Sequence, residues 1–351
     1  MQKTTLLIIA TILVQLIQGC GKSDTPIDPQ PVIPQPSKVT FDRIAIEEFW
    51  PLSEGKIDEA SKTITIRVPY WAKLSDLSVY SQLNLGTESA ASVTITPSLS
   101  EKVDFTTLKT IKITDGQGKK AEYTLKIEKP EIKLVTSIMG EDEFNFSYDA
   151  QGKMTQIKSF NQNPSVNGGK VATQAISYNS TNGVDLSTQN SAIGQVYTTK
   201  DNGHTVWLKA DEKKRIKDIV KLAEETTRLE YDIPNKKIYL YFRVNPQGND
   251  DTIMRKMTFS DFDGNFSPMS TLPLQETHWA VNLTYSLFHY YFFAPTTIAP
   301  KLLLSNPKTI LTEELWGSDK KKTTINVTYE YQNNLPIKYT ADTKVTTITY
   351  Q

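Results

Sequence analysis

This sequence is poor in the residues that usually carry chemistry. It holds one cysteine and three histidines in 351 residues. One cysteine excludes an internal disulfide and any cysteine-built metal cluster. His204, His278 and His289 are scattered and no H-E-x-x-H occurs, so nothing points to a zinc hydrolase. No G-x-S-x-G elbow is present, which removes one class of nucleophilic hydrolase. Net charge is lacking as well, since 39 basic side chains meet 39 acidic ones. Without an overall field there is no chain-wide attraction to nucleic acid or acidic lipid, and no nucleic-acid partner is expected. No catalytic residue, metal ligand or cofactor is assigned from the sequence, and the expectation is a protein that is not an enzyme.

What is present begins at the N-terminus. Residues 1–19 read as a secretory signal. Lys3 supplies the positive start, and Thr4 to Ile17 form a mostly aliphatic run of about 14 residues, short of the roughly 20 that a membrane span needs. Ile17-Gln18-Gly19-Cys20 follows. This resembles the lipobox of bacterial lipoproteins: an aliphatic residue, a small residue, then cysteine. Gln18 departs from the small residue usual at its place. The resemblance implies that Cys20 is acylated and becomes the new N-terminus, which makes a lipid bilayer the expected partner. Each buried CH₂ contributes about 0.8 kcal/mol, and two or more chains anchor stably. Over residues 20–37, Pro26, Pro29, Pro31, Pro34 and Pro36 favour an extended polyproline tether. At about 3.1 Å per residue it reaches roughly 50 Å from the bilayer. The expected location is the outer membrane, lipid-anchored, with the cell-surface and periplasmic faces both open.

Residues 38–129 alternate with period two. Ile64, Ile66 and Val68 share one face of a strand, as do Val93 and Ile95, Ile111 and Ile113, and Tyr123, Leu125 and Ile127. Asp115-Gly116-Gln117-Gly118 is a hairpin signal, because glycine accepts positive φ at no steric cost. Short strands at this spacing predict a small β-sandwich of immunoglobulin-like type. Gly55-Lys56-Ile57, Ile64 to Pro69, Leu74-Ser75-Asp76-Leu77, Val103-Asp104-Phe105 and Ala121 to Ile127 occur in that order. Together they resemble the N-terminal immunoglobulin-like domain of many Bacteroidetes lipoproteins. The resemblance implies a modular spacer and brings no catalytic residue with it.

Residues 132–351 repeat a short unit: an aromatic strand, Asp or Asn, a tight turn, then a polar strand. Units begin near Phe146, Ile176, Trp207, Leu229, Phe259 and Tyr329. They resemble the tyrosine-aspartate hairpin repeats of bacterial surface proteins and the C-terminal β-rich region of Bacteroidetes lipoproteins. One hairpin is marginal in water, so the units are expected to pair into a larger, curved antiparallel sheet. Residues 210–225 fit a hairpin or a helix face, with the hairpin preferred because it matches its neighbours. Residues 278–293 stay open between strand and helix. The expected fold is therefore all-β throughout.

Aromatic residues give the functional lead. In Lys237 to Val244, alternation sends Tyr239, Tyr241 and Arg243 to one face and Ile238, Leu240 and Phe242 to the other. An exposed tyrosine ribbon offers flat apolar area with a polar handle, suited to a sugar ring. Trp279, Tyr290 and Tyr291 are further candidates. The same pattern is also ordinary cross-strand pairing. Asp261-Phe262-Asp263-Gly264-Asn265 lacks the spacing of a calcium loop and reads as a hairpin turn. The leading expectation is a non-enzymatic envelope lipoprotein that binds or presents a glycan or another envelope macromolecule. The alternatives are a structural or adhesive module that contacts another envelope protein and, less favoured, a glycan hydrolase.

Overall fold

The computed structural model describes residues 38–140, 142–150, 152, 154–161, 172–175, 189–191, 194–201, 204–213, 215–221, 225–244, 253–271, 303–315 and 320–351. The signal, Cys20, the whole tether, Trp279, Tyr290, Tyr291 and the whole of 278–293 lie outside them. The described residues are strands, turns and short 3-10 segments, with no α-helix among them. The chain is thus all-β.

The first region holds β1 (Thr40–Ile46), β2 (Lys56–Asp58), β3 (Thr63–Arg67), β4 (Val79–Asn84), β5 (Thr94–Thr96), β6 (Thr110–Thr114) and β7 (Lys120–Glu128). β1 pairs with β4, and the other five run β2-β3-β7-β6-β5. Only β3 and β7 pair in parallel. The alternation read from the sequence is what builds this core. Ile64, Ile66, Ile111, Ile113 and Tyr123 are fully buried, and they share one cluster with Val39, Phe41, Ile44 and Ile46. The β6–β7 hairpin closes on Asp115, whose Oδ1 accepts the N–H groups of Gln117 and Lys119. Gly118 there takes φ +77°, a conformation that side chains bearing Cβ rarely adopt.

The second region holds β8 (Val135–Met139), β9 (Asp142–Tyr148), β10 (Met154–Asn161), β11 (Ala172–Ala175), β12 (Gln189–Ser191), β13 (Gly194–Asp201), β14 (His204–Ala210), β15 (Ile216–Lys221), β16 (Glu225–Asp232), β17 (Lys237–Val244), β18 (Ile253–Phe262), β19 (Pro307–Glu314), β20 (Lys322–Gln332), β21 (Leu335–Ala341) and β22 (Lys344–Tyr350). They form one 15-stranded sheet in the order β11-β10-β9-β8-β22-β21-β20-β19-β18-β17-β16-β15-β14-β13-β12. Every neighbouring pair is consecutive in the chain except β8 and β22, the first and last strands. β11 and β12 are the two edges, and both are short, which limits the unpaired backbone they present.

Where its side chains are described, the sheet is apolar on one face and polar on the other. Phe144, Phe146, Val327, Tyr339 and Ile348 are buried. Their strand neighbours Asn145, Ser147, Asn326, Thr328, Glu330, Thr347 and Thr349 are exposed. A lipid-facing barrel needs an apolar outer band, so these strands have the wrong polarity for one.

Four of the expected hairpins are present: β9–β10, β14–β15, β16–β17 and β20–β21. The 210–225 stretch is the second of these, closed by Asp211 Oδ1, which accepts the N–H groups of Lys213 and Arg215. The Ile176 unit lies outside the described residues beyond Ala175. The Phe259 unit is different from the expectation. β18 ends at Phe262, and its next partner is the distant β19. Asp261 and Gly264, with φ of 54° and 69°, turn the chain away instead. Phe266 explains the turn: it is buried in the first region's core together with Leu304 and Leu335. Ala45 and Trp50 make the reverse exchange and pack in the sheet's core.

Polar groups fasten the same junction. Arg43 makes a two-pronged ion pair with Glu54 at 2.7 and 2.9 Å and donates to the Pro234 carbonyl. Lys236 and the Trp50 indole N–H also reach Glu54. Arg67 donates to the Gly264 carbonyl and to Asn265 Oδ1. Arg215 donates to the Glu47 carbonyl.

Candidate functional site

The tyrosine ribbon sits on the polar face of the sheet, on β17. Ile238, Leu240 and Phe242 are buried on the opposite face, so alternation leaves Tyr239 and Tyr241 half-buried at the surface. Register fixes their neighbours. Glu230 of β16 and Thr258 of β18 flank Tyr239, while Arg228 and Lys256 flank Tyr241. The two rings lie 6.1 Å apart between centroids and tilt by 40°. The Lys256 ammonium stands over both, 4.4 Å from the Tyr239 centroid and 5.5 Å from that of Tyr241. These are cation–π distances.

Both hydroxyls face carboxylates. Tyr239 donates to Asp232 Oδ2 at 3.3 Å. Tyr241 hydrogen-bonds Glu230. Burial, then these carboxylates, raise both phenols, and Tyr241 is pushed up to about 12. Both rings are therefore neutral at physiological pH. Asp232 is held in place by the Asn235 amide groups at 3.0–3.1 Å. The result is a pair of ordered aromatic rings, hydroxyls directed at acids, and a cation on their faces. Such a surface can pack a flat ligand and hydrogen-bond its edge.

The other expected residues fall differently. Arg243 stands in β17 opposite Thr226 and Ile253, at a break in the β17–β18 register. Its side chain, like Cys20, Trp279, Tyr290 and Tyr291, lies outside what is described. Lys256, Arg228 and Glu230 were missed by the sequence reading. Each lies on a different strand from the tyrosines, and only strand register brings them together.

A second polar cluster lies at the junction. Asp263 accepts from the Asn265 N–H at 2.8 Å, from Ser305 Oγ and Asn306 Nδ2, and from the Tyr331 hydroxyl. Burial raises its carboxyl above the usual aspartate range, against these donors. It organises the turn after β18 rather than an open surface. Among the described residues no group of three or more His, Cys, Asp or Glu side chains is placed to hold a metal ion.

No curated protein matches the chain. Among solved structures, similarity is found to a porin-like protein from Bacteroides uniformis, at 10% identity and TM-score 0.36, covering 62% of this chain and 95% of that one. A porin-like protein from Bacteroides vulgatus is similar at 12% identity and TM-score 0.25, covering 62% and 99%. A Bacteroides thetaiotaomicron protein provisionally classed as a glycoside hydrolase is similar at 9% identity and TM-score 0.24, covering 94% and 92%. At these TM-scores none carries an argument about fold or role. The sequence comparison is more local: residues 46–127, spanning β2 to β7 and most of the first region's core, match the family model described as SGBP, N-terminal.

Proposed function

We propose that this chain is a non-enzymatic surface glycan-binding protein of the bacterial envelope, anchored in the outer membrane through an acylated Cys20. The observation that carries the proposal is the match of residues 46–127 to the SGBP N-terminal model. In this reading the first region is the spacer and the sheet is the binding element. Tyr239 and Tyr241 support that division, because they are paired surface rings on rigid strands with hydroxyls already oriented. The sugar packs against the rings, and the carboxylates behind them keep the hydroxyls in place.

A glycan array probed with the full-length chain tests the reading, with Tyr239→Ala/Tyr241→Ala as the control. Binding at millimolar sugar or better, reduced about ten-fold or more in the double variant, is expected, since covering about 50 Å² of apolar ring area contributes about 1.3 kcal/mol. A chain that binds no glycan but captures another envelope protein through the same face would support the adhesive alternative. For the anchor, the expected result is that Cys20→Ala abolishes incorporation of labelled fatty acid and releases the protein from membranes.

A further inference from the structure

The charges around the tyrosine pair say which glycans it would take; this inference rests on the glycan-binding reading above. Each carboxylate of the face already has a partner. Asp232 holds Asn235 and Tyr239. Glu230 holds Tyr241. Glu313, directly opposite Lys256 in the β18–β19 register, pairs with Lys322 at 3.3 Å. Lys256 is the exception. Among the described residues its ammonium meets two aromatic faces and forms no ion pair.

We infer that this face takes a glycan bearing an anionic group, a sugar carboxylate or a sulfate ester, with the sugar against Tyr239 and Tyr241 and the anion on Lys256 Nζ. The lysine's position favours this over a neutral sugar. At a half-exposed site the cation–π contact is weak. A neutral sugar stacking on these faces must displace that contact and gains little from the lysine in return. An anion on Nζ exchanges that weak contact for charge-assisted hydrogen bonds, which are shorter and stronger than neutral ones. Asp232 and Glu230 keep their charge, but both stand on β16, on the opposite flank of the tyrosines from Lys256 on β18, so the anion lies away from them.

The test compares dextran, dextran sulfate and polygalacturonate by titration calorimetry at low salt on the full-length chain. Lys256→Gln and Lys256→Met remove the charge, the latter keeping the stem. Lys126→Gln, an exposed lysine on β7, controls for general charge attraction. The expected result is at least ten-fold tighter binding of dextran sulfate or polygalacturonate than of dextran. Both Lys256 variants should lose about ten-fold, with a weaker salt dependence, while Lys126→Gln binds as wild type. Whichever acidic polymer is preferred identifies the anion. Equal binding of all three, or an acidic preference that survives both Lys256 variants, overturns the inference and leaves glycan binding standing. Binding of none of the three or of any arrayed glycan overturns both.

Discussion

The two regions of this protein bury apolar surface in different ways. The first closes two small sheets over one core, in which Ile64, Ile66, Ile111 and Ile113 sit at zero exposure. The second builds one sheet largely from strands consecutive in the chain, with two longer-range pairs: β18 with β19, and its first strand β8 with its last, β22. Local turn chemistry is enough for each hairpin, but the ends must find each other across about 200 residues, whose closure entropy grows only slowly with length. The family match falls on the first region, and the paired surface tyrosines fall on the second. The comparison teaches that the region recognisable by sequence is not the one that carries the candidate ligand face. The first region is defined by its core, whereas the tyrosine face is set by which side chains the register brings together.

The sharpest way to break this contrast is to remove β22. Deleting residues 344–351 takes away both β21–β22 and β22–β8 pairing. The expected loss is about 5 kcal/mol or more, comparable to the whole stability of a domain. It should appear in thermal melting as loss of the sheet's cooperative transition. Next in size are the core residues that cross the junction. Phe266→Ala is expected to cost about 3–5 kcal/mol, although its chain segment belongs to the second region. Because Phe266 packs in the first core, proteolysis should then open the first region as readily as the second. Phe259→Ala, in the sheet's own core, should cost a similar amount without exposing β3 or β6.

Arg43→Ala comes third, at about 2–3 kcal/mol in denaturant unfolding, because it leaves Glu54 half-buried without its guanidinium. The junction also offers a contrast in pH. Burial pushes Glu54 up, but the Arg43 hydrogen bonds and charge, with Lys236 and Trp50, hold it below the ordinary glutamate value. Its contribution is therefore present above the unfolded value of about 4.3 and is lost as pH falls through the lower folded value. Asp263 meets mainly neutral donors, and burial leaves it raised. Its contribution is complete below about 3.9 and is lost as pH rises through the higher folded value. Glu54→Gln should thus be most damaging near pH 7 and least in acid, and Asp263→Asn the reverse. Parallel pH profiles for the two variants would contradict the account. The smallest expected effect is that of Tyr239→Phe, about 0.5–1 kcal/mol in stability, from one partly exposed hydrogen bond to Asp232.

Period-two alternation made much of the fold legible. It located β3, β5, β6 and β7 and most of the hairpins, because each depends on residues close in sequence. β1 and β4 were not anticipated. β1 is buried continuously from Arg43 to Ile46, which hides the alternation. The Phe259 unit misled because its Asp-x-Asp-Gly pattern is a turn signal, while the burial of Phe266 in another region's core is decided at long range. The candidate face was half legible. Tyr239 and Tyr241 follow from alternation on one strand, but Lys256 reaches them only through the β17–β18 register, which no local pattern encodes.

The most direct test of the account is hydrogen–deuterium exchange on the full-length chain with and without a bound glycan. The account predicts ligand-dependent protection concentrated in 228–232, 237–243 and 255–258, the three strands that build the tyrosine face, with the first region unchanged. Protection confined to residues 46–127, or binding with no change in those three strands, would contradict it.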